Sequence, residues 1–308
     1  MSNTHIIQTQ GLTKRFGARV AVDDVTLAVP RGCAFGFLGH NGAGKTTTIR
    51  MLLGLTAADA GTMRLRGLAV PDQRARALSR VGAIVEEPHF HSHLTGRENL
   101  RVAAAVRGPE TFARIDGALA RVGLAERADE KVARYSQGMR QRLGVARCLI
   151  ADPELLVLDE PTNGLDPAGI LEFRQMIRAL VGEGRTVFLS SHLLGEVEKA
   201  CDAAAIIDAG RIVKAGPIAE LTHASVDQLL IACDDEARAL VLLADDAGVA
   251  RVEPFDGLLR VTLSRVDGAA ELNRRLVVAG VGVTRLEPVR ETLEERFLEI
   301  TSRLEAVA

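Results

Sequence analysis

The residues with the clearest chemical potential in this sequence form one loop, Gly39–Thr46, which reads GHNGAGKT. Its three glycines let the backbone turn tightly, so that successive N–H groups point inward at one anion. Lys45 can reach the β- and γ-phosphates of a nucleotide, and the Thr46 hydroxyl can ligate Mg²⁺. An apolar strand pattern precedes the loop and a helical pattern follows it. This context predicts a nucleotide-phosphate site rather than a glycine-rich turn that binds nothing.

A second group of chemical residues stands at the ends of two predicted strands. Asp159 and Glu160 follow four apolar residues, Leu155–Leu158, which suit a strand buried on both faces. Adjacent carboxylates there are costly unless they face a cation or water. We therefore expect Asp159 to hold Mg²⁺ through water and Glu160 to polarise an attacking water, the alternative being a charged strand terminus. His192 ends another buried strand, where a catalytic and a structural role are equally compatible with the sequence.

Three further features admit both a functional and a structural interpretation. Phe16 could stack on a purine, or it could be a strand residue of the core. Glu86 follows an apolar strand pattern at an edge where ligands bind in parallel sheets, or it is a solvated loop charge. The alternating histidines His89, His91 and His93 could bind a transition metal. Because no carboxylate or cysteine completes that set, an exposed loop is the simpler interpretation.

The composition excludes several classes of protein. Of the 308 residues, 47% are apolar and 25% are charged, and the net charge is −2, so the chain has no basic field for nucleic acid. Aromatic residues make up 3% and Trp is absent, which argues against a base-stacking platform. Four widely spaced cysteines indicate buried thiols in a reducing compartment. Without a membrane-length apolar run or a signal core, we expect a cytoplasmic protein that reaches the membrane through a partner.

Hydrophobic patterns divide the chain into a first domain, residues 1–216, and an accessory C-terminal domain, residues 217–308. Within the first domain, residues 1–93 and 151–216 have the pattern of an α/β core with a largely parallel sheet. Residues 94–150 show four helical stretches and no strand, which predicts an inserted helical subdomain. The C-terminal domain reads as βαββαβ, a small α+β, ferredoxin-like fold, followed by a final helix capped by Thr292.

Taken together, these motifs resemble those of the ATP-binding cassette (ABC) family of transporter ATPases, over residues 5 to about 216. The resemblance implies a RecA-like P-loop NTPase core. Gly39–Thr46 matches Walker A, Leu155–Glu160 matches Walker B with its catalytic glutamate, and Tyr135–Arg142 matches the family signature. The remaining matches are Gly164–Asp166 with the D-loop, Phe16 with the adenine-stacking aromatic residue and His192 with the switch histidine.

The sequence departs from the family pattern at three positions. Its signature carries Gln137 in place of the usual glycine and Met139 in place of the usual glutamine. Ser136 and Gly138 are retained before a helix start, where an anion can bind. Glu86 stands in place of the Q-loop glutamine; it can still reach water or Mg²⁺, but it adds negative charge near the γ-phosphate.

Within the family, the sequence resembles the drug and peptide-antibiotic exporters of the bacitracin-resistance type. The grounds are the segment SQGMRQRLG, the EEP segment followed by LTGRENL, and the C-terminal LEERFLEIT. The resemblance implies that two cassettes, copies or paralogues, pair head to tail and trap ATP between the Walker A loop of one and the signature of the other. A membrane-spanning permease would contact the helical subdomain and the loop after Glu86, placing the protein at the cytoplasmic face of the membrane.

Three alternatives are weaker. Cassette ATPases that act on the ribosome or nucleic acid usually carry two cassettes or coiled-coil inserts, whereas this chain has one cassette and neither a heptad run nor a basic patch. Importer ATPases commonly carry a larger β-rich extension, and a P-loop kinase has no use for the signature. We expect an ATP-hydrolysing transport subunit, exporting a drug, a peptide antibiotic or a lipid-linked compound, with ATP and Mg²⁺ as cofactors and no nucleic-acid partner.

The resemblance assigns Glu160 and His192 to catalysis, and Thr46, Glu86 and Asp159 to Mg²⁺. The residues that it assigns to ATP binding are Phe16, Gly39, His40, Asn41, Gly42, Ala43, Gly44, Lys45, Thr46, Thr47, Glu86, Ser136, Gly138, Asp159 and Asp166.

Overall fold

The computed structural model of the chain describes residues 4–222, 224–265, 268–290 and 292–295. The chain divides into two compact units, Met1–Ile218 and Ala219–Ala308, each with its own sheet structure and apolar core. Within the described residues, no helix has the length and apolar character needed to cross a membrane.

The first unit alternates strands and helices. Its strands are β1 (His5–Phe16), β2 (Arg19–Pro30), β3 (Ala34–Leu38), β4 (Ala60–Leu65), β5 (Leu68–Val70), β6 (Val81–Ile84), β7 (Leu155–Leu158), β8 (Thr186–Ser191), β9 (Ala203–Asp208) and β10 (Arg211–Pro217). Its helices are α1 (Lys45–Leu52), α2 (Arg74–Leu78), α3 (Gly96–Ala105), α4 (Ile115–Arg121), α5 (Gln137–Leu149), α6 (Pro167–Gly182) and α7 (Leu194–Ala200), and α8 (Ile218–Leu221) follows.

Two sheets organise this unit. An antiparallel sheet has the strand order β2-β1-β4-β5, and a six-stranded sheet has the order β10-β9-β3-β8-β7-β6. In the larger sheet the five strands from β9 to β6 are parallel, and only β10 runs antiparallel to its neighbour. Strands β3, β7 and β8 are buried at every position, which explains their continuous apolar sequences. Their carboxyl ends meet at one edge.

The segment between β6 and β7 is helical, as its sequence predicts. It contains α3, α4 and α5 together with two short 3₁₀ turns, and no named strand lies within it. The predicted capping box is present at α3, since the Thr95 side chain accepts from the Glu98 backbone and Glu98 accepts from that of Thr95. Ser136 caps α5 by accepting a hydrogen bond from the Met139 backbone.

The second unit is an antiparallel sheet with helices. Its elements are β11 (Ala224–Cys233), α9 (Glu236–Ala244), β12 (Val249–Phe255), β13 (Leu258–Leu263), α10 (Ala269–Val278) and β14 (Val283–Arg290). The strand order is β12-β13-β11-β14, and every neighbouring pair is antiparallel. The backbone N–H of Glu295 donates to the Thr292 hydroxyl, the predicted cap. The rest of the predicted final helix lies outside the described residues.

The cysteines are free thiols, and two of them, Cys148 and Cys201, are buried. Burial raises the pKa of Cys148 to about 11 and that of Cys201 to about 12. These thiols therefore stay protonated at neutral pH and pack as small apolar side chains, as predicted for them.

One carboxylate joins the two sheets of the first unit. Glu154, just before β7, lies 3.1 Å from the guanidinium groups of Arg31 and Arg66 and 3.2 Å from that of Arg80. Arg31 and Arg66 follow strands of the antiparallel sheet, whereas Arg80 precedes β6. Burial alone would raise the pKa of Glu154, but hydrogen bonds from Arg66 and Arg31 outweigh it and lower the pKa. The ionised carboxylate therefore stabilises the packing between the sheets.

We predict that Glu154→Gln lowers the free energy of unfolding of the first unit by about 1–3 kcal/mol at pH 7, because three arginines lose a charged acceptor. Since the folded-state pKa is lowered, the contribution is complete above the ordinary glutamate pKa of about 4.3 and disappears as the pH falls through the folded value. The difference between the proteins should therefore shrink in acid.

The measurement is urea unfolding followed by the fluorescence of Tyr135, the only tyrosine of the sequence and a buried residue of the first unit. Glu126→Gln, at an exposed glutamate, is the control. Equal stability of Glu154→Gln and the parent protein at pH 7 would contradict the assignment.

Candidate nucleotide site

The loop between β3 and α1 depends on two glycines that leave no room for a side chain. A Cβ atom on Gly39 would lie 2.3 Å from the Ile207 carbonyl oxygen, and one on Gly44 would lie 2.5 Å from that of Ala21. Gly44 also has a φ of 107°, which residues with a side chain rarely adopt. The loop can therefore turn its backbone N–H groups inward at the positive end of α1.

Lys45 is almost fully buried, with 5% of its surface exposed. Its ammonium nitrogen donates to the carbonyl oxygens of Gly39, at 2.6 Å, and His40, at 3.2 Å. The same nitrogen lies 3.1 Å from Oε1 of Glu160, an oxygen that is buried and has no aligned hydrogen-bond donor. The two groups thus form an ion pair by proximity without a hydrogen bond. The loop lysine and the carboxylate that follows β7 meet in one place.

The register of the parallel sheet brings Asp159 and Glu160 to Ser190, near the end of β8. Leu158 pairs with Leu189, so the next residues of both strands are neighbours. The Ser190 hydroxyl donates to Oδ1 of Asp159 at 2.6 Å and accepts from the Glu160 backbone N–H at 2.9 Å. Asp159 is buried, with 3% of its surface exposed, and this bond offsets part of the cost of desolvating its carboxylate.

Glu160 also contacts His192. Nδ1 of the imidazole lies 2.8 Å from Oε2 of the glutamate, and in the Nδ1–H tautomer it donates to the carboxylate. The backbone of Glu160 has a φ of 46°, a left-handed conformation that residues with a side chain adopt at some energetic cost. The carboxylate is thus held between Lys45 on one side and His192 on the other.

Lys45 and Glu160, together with much of the glycine loop, border a cleft of about 320 Å³, whereas Asp159, Ser190 and His192 are not among its lining residues. Phe16 lies at its wall with 53% of its surface exposed, so it is not a core residue. The cleft therefore joins an aromatic ring, a glycine loop and a carboxylate, an arrangement suited to a base, a phosphate chain and an attacking water. Of the predicted set, the cleft gathers Phe16, Asn41, Gly42, Gly44, Lys45, Thr46, Thr47 and Glu160. In the same loop His40 is exposed and Ala43 is buried.

Three predicted residues line a second cavity. Ser136, Gly138 and Asp166 border a separate cavity of about 350 Å³, which shares no lining residue with the first cleft. There the Gln137 amide donates to the Asn163 carbonyl oxygen at 3.1 Å, joining the start of α5 to the turn before α6. Asp166 caps α6 by accepting from the Gly169 backbone. The structure therefore does not bring these three residues to Lys45 within one chain.

Glu86 and the histidine loop lie at the surface. Glu86 is exposed, has a φ of 62° and forms an ion pair with Arg50 of α1. His91 and His93 are exposed, with ring centroids 5.8 Å apart. Across the part of the chain that the structure describes, no group of three or more His, Cys, Asp or Glu side chains could hold a metal ion. The exposure of the three histidines agrees with the interpretation of their segment as an exposed loop.

Sequence reasoning missed three residues around the cleft. Ser190 bonds the Asp159 carboxylate and the Glu160 backbone N–H, Arg19 lines the cleft and donates to the Gly42 carbonyl oxygen, and Arg50 pairs with Glu86. Ser190 carried one signal, since a hydroxyl at the end of an otherwise apolar buried strand needs a polar partner. The two arginines carried none, because their partners are distant in the sequence.

Comparison with known proteins identifies the family. A family model described as "ABC transporter" matches residues 22–163. The bacitracin transport ATP-binding protein BcrA of Bacillus licheniformis is 40% identical over 297 residues, covering 96% of this chain and 97% of that protein. The daunorubicin resistance ATP-binding protein DrrA3 of Streptomyces coeruleorubidus is 35% identical over 302 residues, covering 96% and 95%.

Solved structures agree on the fold. The ATP-binding subunit of an ABC transporter, at 30% identity, superposes with a TM-score of 0.63 over 70% of this chain and 91% of that chain. A dimeric ATP-binding cassette in a post-hydrolysis state with ADP and Pi has a TM-score of 0.62 at 20% identity, over 69% of this chain and 98% of that chain, which shows the fold alone.

The predicted family is confirmed, and the C-terminal unit is an addition to the cassette fold. ABC ATP-binding subunits work with other transporter components, and dimeric cassettes occur among the structural neighbours. The chain belongs to the ABC transporter family. It is an ATP-binding, ATP-hydrolysing subunit of such a transporter, homologous to the ATP-binding proteins of bacitracin transport and daunorubicin resistance.

Proposed function

We propose that this subunit powers the export of a drug, a peptide antibiotic or a lipid-linked compound. The support is the full-length similarity to proteins named for bacitracin transport and daunorubicin resistance. A Nod factor export ATP-binding protein of Ralstonia nicotianae, 42% identical over 232 residues, adds a third export protein. The similarity to the first two extends through the C-terminal unit, which favours this branch over importers and over cassette ATPases that act on the ribosome or nucleic acid.

The contact that carries the catalytic proposal is the hydrogen bond between Glu160 and His192. The base of ATP stacks on Phe16, and its phosphates lie along the loop with Lys45 at the β- and γ-positions. Glu160 accepts a proton from the attacking water, and His192 holds the carboxylate and the γ-phosphate in place. The separation of 2.8 Å between imidazole and carboxylate supports this division of roles.

We further propose that Mg²⁺ accompanies the nucleotide, held by the Thr46 hydroxyl and, through water, by Asp159. Hard oxygen donors of this kind suit Mg²⁺. The residues fit, because Thr46 offers a hydroxyl oxygen in the lining of the cleft and Asp159 offers a carboxylate that is only 3% exposed. Mg²⁺ would neutralise phosphate charge. Glu86 is the weakest member of the predicted set, since its carboxylate pairs with Arg50; as a ligand it would contact Mg²⁺ through water.

The active enzyme is proposed to be a head-to-tail pair with a second copy or a paralogous cassette. Ser136, Gly138 and Asp166 border a cavity of their own, apart from the cleft around Lys45. A partner would supply the missing wall of each nucleotide site. ATP favours closure because its phosphates contact both chains only in the closed pair. A membrane-spanning permease, contacting the helical subdomain and the loop after Glu86, would hold the pair at the cytoplasmic face of the membrane.

We assign the ATPase domain to residues 1–216, with a RecA-like core at 1–93 and 151–216 and a helical subdomain at about 94–150. Residues 217–308 form the accessory domain. The compact units, which meet at residues 218 and 219, support this division. The βαββαβ order, with the sheet β12-β13-β11-β14, supports a ferredoxin-like fold for the second domain.

We predict that Glu160→Gln lowers the turnover of ATP about 100-fold or more while the protein still binds ATP, because the amide cannot accept the proton. Phosphate release and calorimetric titration with ATP measure the two effects. Glu183→Gln, at the far end of α6, is the control and should retain parental turnover. Near-normal hydrolysis by Glu160→Gln would show that another group acts as the base.

We predict that Ser190→Ala lowers kcat about tenfold, because Asp159 loses a donor and the Glu160 backbone N–H loses its acceptor. The Mg²⁺ concentration for half-maximal activity should rise as well. Ser191→Ala, at the adjacent position of β8, is the matched control. A Ser190→Ala protein with a lower melting temperature but parental kcat and Mg²⁺ dependence would limit Ser190 to a structural role.

A further inference from the structure

The end of β1, which carries Phe16, departs from regular sheet geometry. The register with β2 shifts between Leu12 and Lys14 and again between Lys14 and Arg15. On the other side, the last residue of β1 that pairs with β4 is Thr13, opposite Ala60. The last residues of β1 therefore need other contacts on the side facing β4 to keep one conformation.

Asp59, the residue before β4, provides those contacts. Its backbone N–H donates to the Thr13 carbonyl oxygen at 2.9 Å, next to the last ladder pair. Its carboxylate then extends the ladder, since Oδ2 accepts the Arg15 backbone N–H at 2.6 Å. The other oxygen, Oδ1, lies 3.0 Å from the ammonium of Lys14. Hydrogen bonds from Arg15 and Lys14 lower the pKa of Asp59, so the carboxylate is ionised at neutral pH.

Lys14 connects this carboxylate to the aromatic ring. Its side chain is only 13% exposed, and its ammonium lies 5.4 Å from the centroid of the Phe16 ring, within the range of a cation–π contact. Phe16 itself is half exposed and borders the cleft. An exposed ring samples several rotamers unless neighbours restrict it. Asp59 thus fixes both the backbone that carries the ring and the cation beside it.

We propose that Asp59 and Lys14 are positioning residues for the base of ATP, acting through Phe16. The inference rests on the proposed stacking of adenine on Phe16. Neither side chain lines the cleft, so both act on affinity through the aromatic ring. Their contribution concerns the base, whereas the phosphates are held by the loop Gly39–Thr46.

The test separates base recognition from phosphate recognition. The dissociation constants of the full-length protein are measured by calorimetry for two probes with Mg²⁺, a non-hydrolysable ATP analogue and inorganic tripolyphosphate, which has no base. For Asp59→Ala we expect the constant for the ATP analogue to rise about fivefold, a fraction of the full value of a stacked base. The constant for tripolyphosphate should not change.

Lys14→Met is the second variant and guards against a folding defect in the first. It should raise the dissociation constant for the ATP analogue by only about twofold, because the hydrogen bond from the Arg15 backbone to Asp59 remains. Asp129→Ala is the matched control, since Asp129 is an exposed aspartate paired with Arg97 in the helical segment. In steady-state hydrolysis, KM for ATP should rise with the dissociation constant in Asp59→Ala, while kcat stays within about twofold of the parent.

Phe16→Ala decides between failure of this inference and failure of the adenine site. We expect Phe16→Ala to weaken binding of the ATP analogue. Adding Asp59→Ala to the Phe16→Ala protein should not weaken that binding further. If Phe16→Ala weakens binding but Asp59→Ala does not, the positioning role is wrong and the adenine site stands. If Phe16→Ala binds like the parent, the adenine site itself is wrong. Equal weakening of both probes by Asp59→Ala would overturn the inference in favour of a general structural role.

Discussion

The parallel pairing of β3, β8 and β7 is the constraint on which the nucleotide site depends. Parallel strands end at the same edge, so the loop after β3, the carboxylates after β7 and the histidine after β8 become neighbours. Aromatic contacts stabilise this register, since the ring of Phe188 stacks on that of Phe35 at 5.9 Å and packs in a tilted arrangement against that of Phe37 at 5.4 Å. A slip of one residue would reverse which side chains face the core and would separate Ser190 from Asp159.

The same edge concentrates charge in a poorly solvated place, and specific contacts offset the cost. Lys45 and Asp159 are each at most 5% exposed. The lysine donates hydrogen bonds to two backbone carbonyl oxygens, and the aspartate accepts one from the Ser190 hydroxyl. The hydrogen bonding of Glu160 is less complete, because its Oε1 atom lacks an aligned donor. Its backbone also has a left-handed conformation. Strain and an unsatisfied atom coincide at the residue proposed as the base, where reactivity is needed.

Local patterns predicted the elements of the fold better than the contacts between the residues of the site. The glycine loop, the buried strands, the helical segment and the order of the C-terminal elements follow from periodicity, capping and turn residues within short windows. The partners of Ser190, Asp59 and Glu86 do not, because each contact joins residues that only the sheet order brings together. A single sequence specifies which strands exist more clearly than which strands are neighbours.

A short path connects the cleft around Lys45 with the cavity around Ser136. Glu160 borders the cleft around Lys45, and its carbonyl oxygen accepts the backbone N–H of Asn163 at 3.1 Å. The Asn163 carbonyl oxygen in turn accepts the amide of Gln137 at 3.1 Å, in the turn that Ser136 begins. Two hydrogen bonds therefore link the backbone of Glu160 to the start of α5, which borders the second cavity. The glutamine that departs from the family signature supplies the second of these bonds, which a glycine at this position could not make with a side chain.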